Sequence, residues 1–168
     1  VIVDNQGQHL FRPHRSSRSV GRLLKQLADS NQTLNRNPSS LDNDSQLAGL
    51  QQLQRLKSNR FRIFVISDFA GDLTMWQDQL QQLARRNQVD LIHVYDPLDA
   101  QLPPAGHYAV TDGTQRLQFF SGNRRLRKNY AQQFARRCEV LQDITRHPAM
   151  SYRNVATHDP SLPQSLWN

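Results

Sequence analysis

The chain has 168 residues, a length typical of one domain, and its 37% hydrophobic content predicts a globular body with a core of its own. No apolar run reaches the roughly 18 residues that a membrane helix needs, and no segment has the pattern of a signal peptide. A single cysteine, Cys138, excludes an internal disulfide and a cysteine-based zinc site. We therefore expect a cytoplasmic protein with no membrane partner.

Positive charge is concentrated in one segment of the chain. The formal net charge is +7, and residues 114–146 hold eight basic and two acidic residues. A basic surplus of this kind indicates an acidic partner. Because the chain opens with Val1 inside an apolar run, we interpret it as one partial domain, residues 1–168, of a longer polypeptide.

The first third of the chain predicts a hairpin followed by two helices. The runs VIVD and QHLF flank residues 5–8, where Asn-Gln-Gly favours a tight turn. A helix is expected from Ser16, with apolar residues three and four apart, and a loop over residues 31–44. A second helix should end near residues 58–59.

The middle of the chain predicts a parallel crossover unit. The run FRIFVISDF, residues 61–69, is apolar almost without alternation, which is typical of a central strand covered on both faces. A helix with Trp76 and Leu80 on its apolar face and a second buried strand, residues 89–96, follow it. Strand, helix and strand at this spacing indicate a right-handed crossover.

The last third predicts an edge hairpin around Asp112-Gly113 and a long helix over residues 123–146. A short strand, residues 151–156, and a short helix near Asp159-Pro160 should close the domain. The long helix is expected to turn one set of residues inward: Leu126, Tyr130, Phe134, Cys138, Leu141 and Ile144. Its outward set is Arg124, Arg125, Lys128, Arg136 and Arg137.

Asp68 is the residue best placed for chemistry. It follows the strand predicted to be central, and ligands of open α/β sheets bind outside the carboxyl ends of the strands. A carboxylate there, with Gly71 and Asp72 nearby, is a candidate ligand for a hard cation such as magnesium. The competing interpretation is that Asp68 caps the following turn through backbone amides.

Several motifs together resemble a known family. These are RIFVISDF, then VDLIHVYDPLDAQLP, then RRLRKNYAQQFARRCEVL, with FRPHRS before them and THDPSLPQSL after them. In this order they resemble family 58 of the domains of unknown function. The resemblance implies an α/β fold of von Willebrand A type: a Rossmann-like, mostly parallel sheet flanked by helices, with edge hairpins, here truncated at its N-terminus.

The same resemblance implies a metal-ion-dependent adhesion site built from three loops. The first, DxSxS, would precede Val1. The second offers a threonine at the start of a helix, for which Ser45 is the counterpart here, and the third offers an aspartate matched by Asp68. We therefore expect magnesium in the full-length parent and no cofactor in this chain, because one carboxylate holds magnesium weakly.

The resemblance further implies a non-enzymatic interaction or scaffold domain that works with a MoxR-type AAA+ ATPase in chaperone-like maturation of other proteins. A hydrolase that positions water on a metal between Asp68, Asp72 and Asp96 is a third, weaker reading. A homodimer is a further expectation, because a truncated sheet would expose an apolar edge.

The basic helix supports the main alternative function, which is binding of nucleic acid or another polyanion. Its cations could neutralise several phosphates or dock an acidic protein, or they could form an ordinary solvated face. The candidate surface for a partner or polyanion consists of Arg124, Arg125, Arg127, Lys128, Arg136 and Arg137.

Overall fold

A computed structural model of the chain describes residues 2–4, 7–9, 16–32, 43–55, 60–111 and 114–159. Within them lie a three-stranded parallel sheet of order β3-β4-β7 and two separate antiparallel hairpins. The α/β class with a parallel sheet flanked by helices is thus confirmed. The elements are β1 Ile2–Asp4, β2 Gly7–His9, α1 Ser17–Gln32, α2 Asn43–Gln54, β3 Arg62–Ser67, α3 Thr74–Ala84, β4 Gln88–Tyr95, α4 Pro97–Ala100, β5 His107–Thr111, β6 Arg116–Phe120, α5 Arg124–Ile144 and β7 Met150–Ala156.

The core lies on one face of the parallel sheet. Strands β3 and β4 contribute alternate residues such as Val65 and Leu91, because side chains one residue apart point to opposite faces. Helix α3 buries Trp76 and Leu80 against them, as its three-and-four spacing predicts. Helices α2 and α5 add Leu50, Leu141 and Ile144 to the same cluster.

Strand β3 forms an edge of the described sheet, which corrects the prediction of a central strand. Among the described residues β3 pairs with β4 alone, and β4 lies in the middle. Phe64 and Ile66, on the face away from the core, are 36% and 64% exposed. A continuous apolar run therefore indicates a strand suited to burial on both faces. In β3 the described residues cover one of these faces.

A polar strap crosses all three parallel strands on the opposite face. Asp90 of β4 accepts from the guanidinium of Arg62 on β3 at 2.7 Å and from the hydroxyl of Ser151 on β7. Burial acts to raise the pKa of Asp90, but the hydrogen bonds from Arg62 and Ser151, together with the charges of Arg62 and Arg153, outweigh it and hold that pKa below its usual range. These hydrogen bonds hold the three strands in one alignment, and this alignment sets where their carboxyl ends lie.

Most of the other predicted elements are confirmed with small shifts. Most of the loop predicted over residues 31–44, and the end of the second helix predicted near residues 58–59, lie outside the described residues. Asn123 caps α5 by accepting from the backbone amides of Arg125 and Leu126, so the long helix begins one residue later than predicted. Leu126 was expected to face inward, but it is 39% exposed because only the later turns of α5 reach the core. The predicted turn at residues 112–113 and the helix near Pro160 lie outside the described residues. None of the helices found in the described ranges is both long enough and apolar enough to cross a membrane.

Candidate functional site

The chain leaves β3 through a strained turn that presents Asp68. The next residue, Phe69, has φ 49°, a left-handed conformation that a bulky side chain rarely adopts. Its ring is 1% exposed and makes edge contacts with Trp76, at 5.3 Å between centroids, and with His93, at 5.9 Å. Burial of this ring stabilises the strained turn, and Asp68 beside it is exposed.

Asp68 caps its own turn, as the competing sequence interpretation predicted. Its Oδ1 accepts from the backbone amide of Ala70 at 3.2 Å, while the hydroxyl of Ser67 accepts from the amide of Phe69 at 3.0 Å. A carboxylate oxygen has more than one lone pair, so this bond leaves acceptor capacity for a ligand. Capping and ligand binding are therefore compatible at Asp68.

Beside Asp68 lies a cavity of about 190 Å³ at the carboxyl edge of the sheet. Opposite charges line it, because the carboxylates of Asp68 and Asp99 share the wall with the guanidinium of Arg137. Among the ion pairs of the described residues, none joins Arg137 to either carboxylate. The cavity can thus receive a polar group of either charge. Its lining is completed by Ala70, His93, Tyr130, Gln133 and Phe134.

The short helix α4 holds Asp99 and Tyr130 in place. Asp96 and Asp99 form a reciprocal capping box around the four-residue helix α4, in which each carboxylate accepts a backbone amide of the segment. Tyr130 of α5 donates its hydroxyl to the carbonyl of Leu98 at 2.8 Å. The same bond ties α4 to α5 and closes one side of the cavity.

His93 forms the floor of the cavity and is 2% exposed. Its Nδ1 lies 3.0 Å from the hydroxyl of Tyr152 on β7. Burial lowers the pKa of His93 and nearby Arg137 lowers it further, against the opposing effect of the carboxylates of Asp68 and Asp99. Burial also raises the pKa of Tyr152, so a protonated hydroxyl can donate to a neutral imidazole. His93 is therefore a buried side chain with a hydrogen-bond partner.

The described residues do not assemble a complete metal site. No group of three or more histidine, cysteine, aspartate or glutamate side chains in the described ranges could hold a metal ion. Asp72 binds the start of the next segment, where its Oδ1 accepts from the amide and hydroxyl of Thr74. Ser45 lies in the first turn of α2, where the resemblance placed it, but its side chain is outside the described residues. Of the two predicted ligands, Asp68 alone has a described side chain.

The predicted basic surface separates into three parts. Arg124, Arg125 and Lys128 are exposed in the first two turns of α5, and Arg136 is exposed further along. Arg127 is half-buried and donates to the carbonyls of Pro103 and Ser121, at 2.6 Å and 3.3 Å. Arg137, predicted to face outward, is half-buried and lines the cavity beside Asp68. Arg137 is displaced from the solvent face because its position on α5 adjoins Tyr130 and Phe134.

Comparison with known proteins places the chain in a family. The sequence profile described as "Protein of unknown function DUF58" matches residues 1–140. The chain belongs to the DUF58 family. An uncharacterized protein of Mycobacterium avium is 33% identical over 97 residues, which cover 56% of this chain and 57% of that protein. Uncharacterized proteins of Mycobacterium bovis and Mycobacterium tuberculosis are each 31% identical over 114 residues, 67% of this chain and 35% of their own length.

No solved structure matches this DUF58 chain significantly. The chain spans between about a third and just over half of the curated relatives it matches. Asp68, Asp99, Tyr130 and Arg137 all lie within the part that the DUF58 profile matches, whereas Tyr152 lies beyond it.

Replacing Phe69 with alanine should lower the free energy of unfolding by about 3 kcal/mol, because it removes a fully buried ring and leaves the left-handed backbone in place. Urea denaturation followed by tryptophan fluorescence measures the change. Met75→Ala, at a position of α3 that is 52% exposed, is the control and should change stability by well under about 1 kcal/mol. Equal effects of the two substitutions would contradict the anchoring role of Phe69.

Replacing His93 with glutamine should reduce the fall in the free energy of unfolding that occurs as the pH is lowered. Because its pKa is lowered by burial, the folded state disfavours protonation of His93. This contribution is complete above the unfolded pKa of about 6.5 and is lost as the pH falls below it toward the lowered folded pKa. Urea denaturation from pH 8 to pH 5 tests this, with exposed His158→Gln as the control. Parallel curves for the wild type and His93→Gln would refute the assignment.

Proposed function

We propose that this DUF58 chain is a non-enzymatic interaction and scaffold domain that binds a protein partner at the carboxyl edge of its parallel sheet. The observation that carries the proposal is Asp68, held outward by the buried ring of Phe69 beside a cavity of mixed charge. A rigid sheet that positions polar groups on its end loops is the usual arrangement of a binding scaffold.

The cavity suits recognition better than proton transfer. His93, its one imidazole, is buried and hydrogen-bonded to Tyr152, and its lowered pKa favours the neutral form. Asp96 and Asp72, which a hydrolytic reading would place around a metal, bind backbone amides of their own segments instead. The charged side chains that line the cavity are the carboxylates of Asp68 and Asp99 and the guanidinium of Arg137. Such groups bind ions and amides of a partner.

The partner proposed is a MoxR-type AAA+ ATPase, through which the parent protein would act in chaperone-like maturation. Support comes from membership of the DUF58 family, because the partnership is what the resemblance to that family implies. The fold proposed for the complete domain is of von Willebrand A type, with which the parallel order β3-β4-β7 and flanking helices are compatible. Asp68 is proposed as a ligand of magnesium in the parent. The other ligands would come from outside the described residues.

Binding of nucleic acid is the second candidate, and exposed Arg124, Arg125 and Lys128 favour it. Two features weaken it. Arg127 donates to backbone carbonyls, and the aromatic residues of α5, Tyr130 and Phe134, are half-buried at the cavity, where they offer no stacking platform.

Asp68→Ala should weaken binding of the full-length parent to its purified MoxR-type ATPase by about tenfold or more, because it removes a carboxylate at the centre of the proposed interface. Arg137→Glu should weaken this binding by a similar factor, because it reverses a charge on the other side of the cavity. Biolayer interferometry measures the dissociation constants. The control is Asp78→Ala, which removes an exposed carboxylate from α3 without touching the cavity. Equal binding by all four proteins would refute the proposed interface.

Magnesium should bind the full-length parent and should lose its site in Asp68→Ala. Calorimetric titration of magnesium into the parent and into the 168-residue chain measures this, again with Asp78→Ala as the control. We expect binding to the parent and Asp78→Ala, and none to Asp68→Ala or to the 168-residue chain, since a single carboxylate is a weak ligand. Retained binding in the parent carrying Asp68→Ala would place the metal elsewhere.

A further inference from the structure

Hairpin β5–β6 leaves its strand edges open. Among the described residues it forms a sheet of two strands, and neither strand pairs with any other. An isolated two-stranded hairpin is at best marginally stable in water, and unpaired strand edges expose backbone donors and acceptors to other chains. The hairpin therefore needs support from the rest of the fold, and its edges can accept a further strand.

The support comes from its base, where Ser121 and Arg127 of α5 bind the segment that leads into the hairpin. Ser121 is fully buried, donates its hydroxyl to the carbonyl of Pro104 at 2.6 Å and accepts from the amide of Gly106 at 3.0 Å. Arg127 of α5 binds the carbonyls of Pro103 and Ser121. A Cβ on Gly122 would lie 2.5 Å from the ring of Phe120, so a larger residue there would displace that ring. The open edges are thus held rigidly next to the first turn of α5.

One face of the hairpin carries an apolar ladder. Val110 pairs with Leu117, and Tyr108 pairs with Phe119 with stacked rings 6.0 Å apart. Val110 and Leu117 are 50% and 64% exposed, whereas the two aromatic residues are half-buried. Exposed apolar residues grouped on one rigid face indicate a contact surface.

The adjoining turns of α5 carry cations where a helix does not favour them. Arg124, Arg125 and Lys128 are exposed at the end of α5 that has the positive pole of the helix dipole, and the first turn holds no acidic residue. Cations at this end are unfavourable, because the helix dipole places partial positive charge there. An anionic partner would offset that cost, and no ion pair within the described residues supplies one from this chain.

We infer that hairpin β5–β6 and the first two turns of α5 form a docking surface for an extended acidic segment of a protein partner. The segment adds a strand to an open edge of the hairpin, lays apolar side chains on Val110 and Leu117, and places carboxylates on Arg124, Arg125 and Lys128. This is strand addition: backbone bonds supply affinity and side chains supply specificity. A nucleic acid would use the cations, but it has neither a strand backbone for the edge nor aliphatic groups for the ladder.

This surface is distinct from the site at Asp68, although α5 contributes to both. Tyr130, Phe134 and Arg137, further along the helix, line the cavity, whereas the docking surface uses the helix start. Loss of the acidic segment therefore need not affect the partner bound at Asp68. Asp68→Ala separates the two proposals, because it should leave binding at the hairpin unchanged.

The test uses the 168-residue chain and a fluorescent ten-residue peptide that alternates glutamate with valine or threonine, followed by fluorescence anisotropy. Val110→Thr/Leu117→Thr and Arg124→Glu/Arg125→Glu should each weaken binding by about tenfold or more. The matched control is Arg85→Glu/Arg86→Glu, which makes the same charge change at exposed positions after α3 and should bind as the wild type does. Circular dichroism confirms that each variant is folded.

Two altered probes decide the mode of binding. A peptide with every backbone amide methylated has no N–H donor on either edge, so it cannot pair along a strand and should bind about tenfold more weakly or worse. A single-stranded oligonucleotide should bind weakly, and its binding should not respond to Val110→Thr/Leu117→Thr. The proposal is overturned if the methylated peptide binds as well as the unmodified one. It is also overturned if the oligonucleotide binds more tightly than the peptide, or if the Arg85 and Arg86 control loses as much affinity as the α5 variant.

Discussion

The burial of the Phe69 ring is the interaction on which the candidate site depends. A left-handed backbone at a phenylalanine costs of order 1 to 3 kcal/mol, so it persists only where surrounding structure holds it. Here Trp76 from α3 and His93 from β4 hold the ring on two sides. The turn after β3 therefore cannot relax without opening the core. Asp68 is thereby fixed at the carboxyl edge of the sheet, although its own side chain makes only a local hydrogen bond.

Helix α5 connects this edge to the rest of the molecule. Its last turns supply Leu141 and Ile144 to the core, and its middle turns line the cavity with Tyr130 and Arg137. Its first turns anchor the hairpin through Arg127. One rigid helix thus sets the positions of both proposed binding surfaces relative to the sheet. The two surfaces can bind different partners while depending on the same packing.

The sequence predicted most of the elements, because periodicity and turn residues are local signals. The spacing of Trp76 and Leu80 located α3, and the long apolar run located β3. Within the described residues β3 lies at an edge and not at the predicted centre, since an apolar run reports how a strand tends to be buried and contains no information about which strands pair with it. Asp68 was found because a carboxylate after a buried strand falls at the ligand-binding edge.

The other residues of the cavity were missed for a different reason. Asp99, Tyr130 and Arg137 come from α4 and α5, and their proximity to Asp68 depends on how α5 crosses the sheet. A helical wheel assigns Arg137 to the outside because arginine is polar. The side chain is long enough to lie along the apolar wall while its guanidinium reaches the cavity, so a wheel position gives no reliable side-chain position.

The basic residues of the chain consequently have several different roles. Arg127 satisfies backbone carbonyls, and Arg137 balances two carboxylates across a cavity. Arg62 straps the sheet through Asp90, and Arg146 pairs with Asp143. Arg124, Arg125 and Lys128, which take part in none of these contacts, are grouped at the start of α5, next to the hairpin. A net charge of +7 suggests a polyanion, whereas the distribution indicates a local anionic contact beside an apolar ladder, which fits an acidic protein segment better than a nucleic acid.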